Sequence, residues 1–116
     1  MDNLNMNLPH NFISLVLNNE IRVEKVTEAA SIILKELGGR QGHITGEKVW
    51  LIDFVDENHE ARLLSKLNEA GFLFVGEPAG WPPAEVFDYL REKGLVNGKF
   101  TEISWVGSGK WQTRVR

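Results

Sequence analysis

Between positions 53 and 60 the chain carries Asp53, Asp56, Glu57, His59 and Glu60, four carboxylates and an imidazole. Groups of this kind, brought close, can hold a divalent cation or move protons as a general acid and base. Asp53, Asp56 and His59 are therefore the candidate metal or acid–base set. The same residues also read as helix furniture. Asp56 or Asn58 can cap a helix, and Glu57 and Glu60 complement the positive end of its dipole. Asp53 stands apart because it falls in an apolar strand, where a buried carboxylate needs a partner. No pair of histidines at helical spacing is present, so no metal or other cofactor is expected.

Two further chemistries find little purchase. The stretch "GGRQGHITGEK" offers glycines, Arg40 and His43, as a phosphate-cradling loop would. Such a loop leaves a strand and opens a helix, however, whereas this one follows a helix, so it reads as an exposed connection. Ser14, Ser31, Ser104 and Ser108 lack a neighbouring histidine in sequence, and no Gly-x-Ser-x-Gly elbow occurs. The chain has no cysteine, which removes thiol nucleophiles, thiolate metal sites and disulfides. It is expected to be non-catalytic; a small metal-dependent hydrolase around Asp53–His59 is the third reading.

Recognition has stronger candidates. Trp81, between Gly80 and Pro82, is held extended by the proline that follows it, and its ring either covers the core or points outward. Residues 91–116 hold six Lys/Arg (Arg91, Lys93, Lys99, Lys110, Arg114, Arg116) against two acids, while the preceding ninety residues hold seven against fourteen. A basic end on an acidic body can be a partner surface or can complement the body itself. The net charge of −3 gives no bulk attraction to nucleic acid or anionic membrane. Four Trp in 116 residues favour an interface, where Trp is enriched.

These residues must be positioned by one small domain. With 42% hydrophobic and 25% charged residues a core is expected. Residues 1–10 read as a loose polar leader, without the basic and apolar regions of a signal peptide, and residues 11–116 as a single α+β (or α/β) domain. No apolar run approaches the roughly 20 residues a membrane span needs, and a cytoplasmic location is expected.

"FISLVLNNEIRVEKV" predicts a hairpin, Phe12–Leu17 and Glu20–Val26, turning at Asn18-Asn19. A helix capped by Thr27 follows, with Ala30, Ile33, Leu34 and Leu37 as its stripe and Gly38-Gly39 as its stop. "KVWLIDFV" predicts a buried strand containing a core Trp50. The second helix presents Leu63, Leu64, Leu67 and Ala70, and "FLFV" is a further buried strand. In the third helix Pro82 or Pro83 takes the first position, Val86, Phe87 and Leu90 form the stripe, and Gly94 terminates it.

The chain closes on a hairpin around Gly107-Ser108-Gly109. A three-residue loop there opposes Val106 to Lys110, Trp105 to Trp111, Ile103 to Thr113 and Glu102 to Arg114. That register gathers Ile103, Trp105, Trp111 and Val115 on one face, with the two tryptophans expected in the core, and Glu102, Gln112 and Arg114 on the other. The order ββ-α-β-α-β-α-ββ implies a mixed sheet with hairpins at both ends and three packed helices.

Residues 82–116, running helix, Gly-Leu-Val, strand, glycine turn, strand, resemble the back half of a winged-helix domain. The resemblance implies that Arg91, Lys93, Lys99, Lys110, Arg114 and Arg116 meet phosphates, with Lys110 at the wing tip. The first expectation for function is nevertheless a non-catalytic protein-interaction or regulatory module of the inhibitor, immunity or adaptor type. Its surface would lie around Trp81 and the neighbouring basic residues, and its partner would be another protein. Nucleic-acid binding through the basic C-terminal segment is the alternative.

Overall fold

A computed structural model describes residues 3–4, 9–77, 82–107 and 110–116. The chain forms one α+β domain with a mixed sheet and three helices. The elements are β1 (Asn3–Leu4), β2 (Phe12–Leu17), β3 (Glu20–Glu24), α1 (Glu28–Glu36), β4 (Arg40–Ile44), β5 (Glu47–Asp53), α2 (Glu57–Glu69), β6 (Leu73–Glu77), α3 (Pro83–Glu92), β7 (Thr101–Gly107) and β8 (Lys110–Val115). The sheet order is β1-β8-β7-β6-β2-β3-β5-β4, with β6 parallel to both β2 and β7 and the other neighbours antiparallel.

The predicted order of hairpins, helices and central strands is present, and two strands are added to it. Asn3–Leu4 pairs with Thr113 and Gln112 of β8. The stretch read as a glycine-rich connection instead contributes β4, which forms a hairpin with β5 through Thr45-Gly46. Both turn residues have positive φ, 48° and 82°, as a two-residue hairpin turn of primed type requires. β4 is an edge strand, so its side chains are mostly exposed and carry no apolar alternation. That absence of pattern is why the sequence reads as a loop.

The first hairpin turns at Asn18-Asn19, both in the left-handed region at φ 54° and 62°. Thr27 caps α1, its hydroxyl accepting from the Ala30 N–H at 3.3 Å. At the far end the Gly39 N–H reaches the Leu34 carbonyl at 2.8 Å. Asp56 caps α2 by accepting from the His59 N–H at 2.8 Å. Pro83 opens α3 with no side-chain cap, and the Leu95 N–H closes it on the Leu90 carbonyl at 2.9 Å. None of these helices is long and apolar enough to cross a membrane.

All three helices pack on one face of the sheet. Ile13, Ile21, Val23, Trp50, Ile52 and Phe74 join Leu34 of α1, Leu64 and Leu67 of α2, and Phe87 and Leu90 of α3 in one buried cluster. Its densest part is aromatic. Phe87 and Phe100 stack at 4.2 Å, and Phe74 meets both edge-on, at 5.1 and 5.6 Å. A second, smaller cluster of Phe12, Val75 and Ile103, with Leu73 and Trp111 against it, is built from strand residues alone. Val75 and Ile103 are neighbours in the β6–β7 register, one position along from Phe74 and Glu102, so this cluster lies on the helix-free face. Phe12 and Trp111 stand three strand spacings apart, about 14 Å, yet their rings approach to 6.3 Å by leaning together across that face.

In the last hairpin the observed pairs Trp105–Trp111, Ile103–Thr113 and Glu102–Arg114 match the predicted register. At the tip Gly107, not Val106, opposes Lys110, with an irregularity between Trp105 and Gly107. Gly107 has φ 98°, so a bulge there takes up the extra residue while the register below it is kept.

Candidate functional site

Asp53, Asp56 and His59 do not converge. Asp53 is 64% exposed at its side chain and accepts from the Arg40 guanidinium at 3.2 Å. The Asp53 carboxylate is thus not buried but sits on the helix-free face, where Arg40 also binds Glu20 at 2.8 Å. This pairing, with Glu20 as the stronger partner, raises the Arg40 pKa further. Asp56 is spent on the helix cap, and His59 accepts the Val55 N–H at Nδ1, 3.1 Å, reaching back like the third residue of a capping box. Glu60 is pushed above the usual carboxylate range, first by burial and then by the charge of Glu57. Among the described residues no three His, Asp or Glu side chains are placed to share a cation.

Several of the basic residues turn inward. The Arg91 guanidinium donates to the Gly98 and Arg116 carbonyls, both at 3.1 Å, and to Asp88 at 2.8 Å, while lying 5.8 Å from the ring centres of Phe87 and Phe100. Lys93 meets Glu57 at 2.8 Å and sits 4.8 Å above the Tyr89 ring. Its pKa is raised, first by Glu57 and then by Tyr89, and the Glu57 carboxyl is correspondingly lowered, first by Lys93. Arg116 reaches Glu102 at 2.6 Å. Arg114 stands opposite Glu102 in the register. Lys99 and Lys110 are exposed, Lys110 at the hairpin tip. β7 and β8 are strands of the continuous sheet rather than a projecting wing, because β7 runs parallel beside β6. Trp81 lies outside the described residues.

The Glu102–Arg116 pair is set into the helix side of the sheet. Glu102 shares a face with Phe74 and Gly76 and is only 9% exposed. A Cβ on Gly76 would lie 2.8 Å from the Glu102 carboxyl carbon, so glycine is what makes room for this side chain. Alternation then sends Ile103 and Trp105 to the other face. Trp105, expected in the core, is 49% exposed, and Val106 and Val115 are exposed to the same degree. The physical reason is the placement of the helices. The apolar side of this hairpin looks away from them, so only Ile103 and part of Trp111 are covered.

The other half of the same open face is charged, with Glu20, Arg22, Glu24, Arg40 and Asp53 at the face positions of β3, β4 and β5. Arg22 stands between Leu15 and Leu51 in register, and its Nε is buried without a hydrogen-bond partner. A buried, unpaired donor costs about 1–3 kcal/mol, more in a charged group. Neither the buried donor of Arg22 nor the outward face of Trp105 is legible in the sequence. The alternation in "TEISWVG" separates the two faces of that strand, but it does not say which one the helices cover.

Comparisons with protein-family models, with curated proteins and with solved structures find no match to this chain.

Proposed function

We propose that this chain is a non-catalytic protein-interaction module, of the inhibitor, immunity or adaptor kind, that docks a partner protein on the helix-free face of its terminal hairpin. One observation carries the reading. Trp105 and Val115 are each about half exposed on the face that the register gives them with Trp111 and Ile103, while Glu102 of the same strand is buried on the helix side. A strand that hides its carboxylate and shows its tryptophan is arranged for contact with another apolar surface. Exposed Lys110 at the hairpin tip adds a cation at the rim, which suits an acidic border on the partner. The inward commitment of Arg91, Lys93 and Arg116 supports this reading over a phosphate-binding one.

The test is capture and reconstitution of a partner with wild type, Trp105→Ala and Val115→Ser, each checked for an unchanged melting temperature. Loss of binding by the folded variants supports the proposal. Undiminished binding by both overturns it, as does a bound species that is nucleic acid and is released by mutating Lys99 and Lys110.

A further inference from the structure

From the open edge of β4 we infer that this chain self-associates. Two copies pair antiparallel through Arg40–Ile44, about a two-fold axis at Gly42, into one continuous sheet. β4 has β5 on one side and ends the sheet on the other. Edge strands that stay unpaired are commonly guarded by a proline, a bulge or an outward charge. β4 has no proline, and its pairs with β5 run without a bulge. Its one full charge is withdrawn from the edge, because Arg40 leans back across β5 to Asp53 and Glu20. Gln41 and His43 are exposed, so no helix overhangs the edge from the other face.

The turn sets which backbone groups are free. In a two-residue hairpin the residues flanking the turn, here Ile44 and Glu47, exchange both hydrogen bonds, and bonded pairs then alternate along the strands. Ile44, Gly42 and Arg40 therefore turn their N–H and C=O groups toward β5, while Gln41 and His43 turn theirs outward. Opposing Gln41 of each copy to His43 of the other satisfies all of these outward groups.

The side chains fit the same register. It sets Gly42 against itself, and Leu51 already lies over Gly42, its Cδ1 3.1 Å from where a Cβ would stand. The two leucines then fill the space that the facing glycines leave. On that face Arg40 opposes Ile44 of the second copy, whose own neighbour on β5 is Glu47. Each of these rows thus carries opposite charges, and no like charges stand opposed. Sliding the pairing by two residues keeps the bonding phase but shortens the overlap, and in one direction it sets His43 against itself. The opposite sheet edge is the two-residue β1, so association closes at a dimer. Only a five-residue edge is shared, which places the interface below about 1,200 Å² in total and makes the dimer weak and reversible.

The experiment is sedimentation velocity of the intact chain over a concentration series reaching about 1 mM, where contacts of this size are populated. A monomer–dimer equilibrium is expected. Gln41→Pro deletes an outward N–H in each copy while leaving the β5 ladder intact, and should weaken the dimer about tenfold or more. Ile44→Lys, which opposes a like charge to Arg40, should do the same. The register is read by cross-linking, since the chain has no cysteine. A mixture of Gln41→Cys and His43→Cys chains should oxidise to a mixed disulfide faster than either variant alone, because only opposed residues come within bridging distance. Both of those side chains are exposed, so this readout stands even if the proline variant fails to fold. A chain that stays monomeric, assembles beyond the dimer, ignores Gln41→Pro and Ile44→Lys, or cross-links equally well unmixed overturns the inference. The dimer does not depend on the hairpin surface, so Trp105→Ala should leave it unchanged; its dissociation by that variant overturns the inference too.

Discussion

The two halves of the sheet treat their faces in opposite ways. Across β3 and β5 the apolar residues Ile21, Val23, Trp50 and Ile52 meet the helices, and Glu20, Arg22, Glu24 and Asp53 look out. Across β7 and β8 a carboxylate, Glu102, is buried on the helix side and Ile103, Trp105 and Trp111 look out. The first half follows the usual logic of a sheet with one solvated face. In the second the solvated face carries Ile103, Trp105, Trp111 and Val115 beside Thr101 and Thr113, and its tryptophan is half exposed. The difference separates what the fold needs from what a partner would use.

The sharpest test of this contrast concerns Ile21 and Ile103, each fully buried but on opposite faces. Ile21→Ala and Ile103→Ala should each cost about 2–5 kcal/mol in denaturant unfolding. A cost for Ile103→Ala near zero would make the second cluster mere surface and dissolve the comparison.

Next in size is Gly76→Ala, whose Cβ would collide with the Glu102 carboxyl group. Overpacking of this kind should cost about 1–3 kcal/mol. Combined with Glu102→Ala it should cost less than the sum of the two changes, since the smaller side chain frees the space. Strict additivity would show that the glycine is needed for some other reason.

Smaller still are the exposed members of each half. Trp105→Ala should lower stability by no more than about 1 kcal/mol, the scale of a cross-strand pair, while abolishing partner binding. Arg40→Ala, which breaks the Glu20–Arg40–Asp53 ladder on the charged half, should cost about 0–1 kcal/mol and less in high salt. Stability losses in the reverse order would place the structural weight on the wrong half.

The smallest effect belongs to Glu57–Lys93, which ties α2 to the end of α3 on the helix side. The lowered Glu57 pKa contributes stability that is present above its ordinary 4.5 and is lost as pH falls through the folded value. The raised Lys93 pKa contributes stability present below its ordinary 10.5 and lost as pH rises through the folded value. Lys93→Gln should therefore lower the melting temperature between those limits and have little effect beyond them. A uniform loss at every pH would mean that Lys93 acts through packing on Tyr89 instead.

Much of this was legible in the residues themselves. Thr27, and Asp56 or Asn58, marked two helix starts, Asn18-Asn19 a hairpin, and Gly94-Leu95 a helix end, because caps and turns are decided by neighbours a few positions apart. The register from Trp105–Trp111 downward was legible too, since a slip by one residue would have mixed apolar and charged faces. β4 was not legible, because an exposed edge strand has no apolar alternation to betray it. Nor was the exposure of Asp53, whose salt partner Arg40 comes from 13 residues earlier, across the β4–β5 hairpin.

The sequence by itself determined the elements, their order and which side chains share a face of each strand, all of which follow from local sterics and short-range periodicity. Only the tertiary structure decided which face the helices would cover. Alternation is symmetrical, so it separates two faces without ranking them. The ranking came from β6 lying parallel between β2 and β7 and from α1, α2 and α3 packing together on the Phe74 side. That choice buried Glu102, left the Arg22 donor without a partner and turned Trp105 outward.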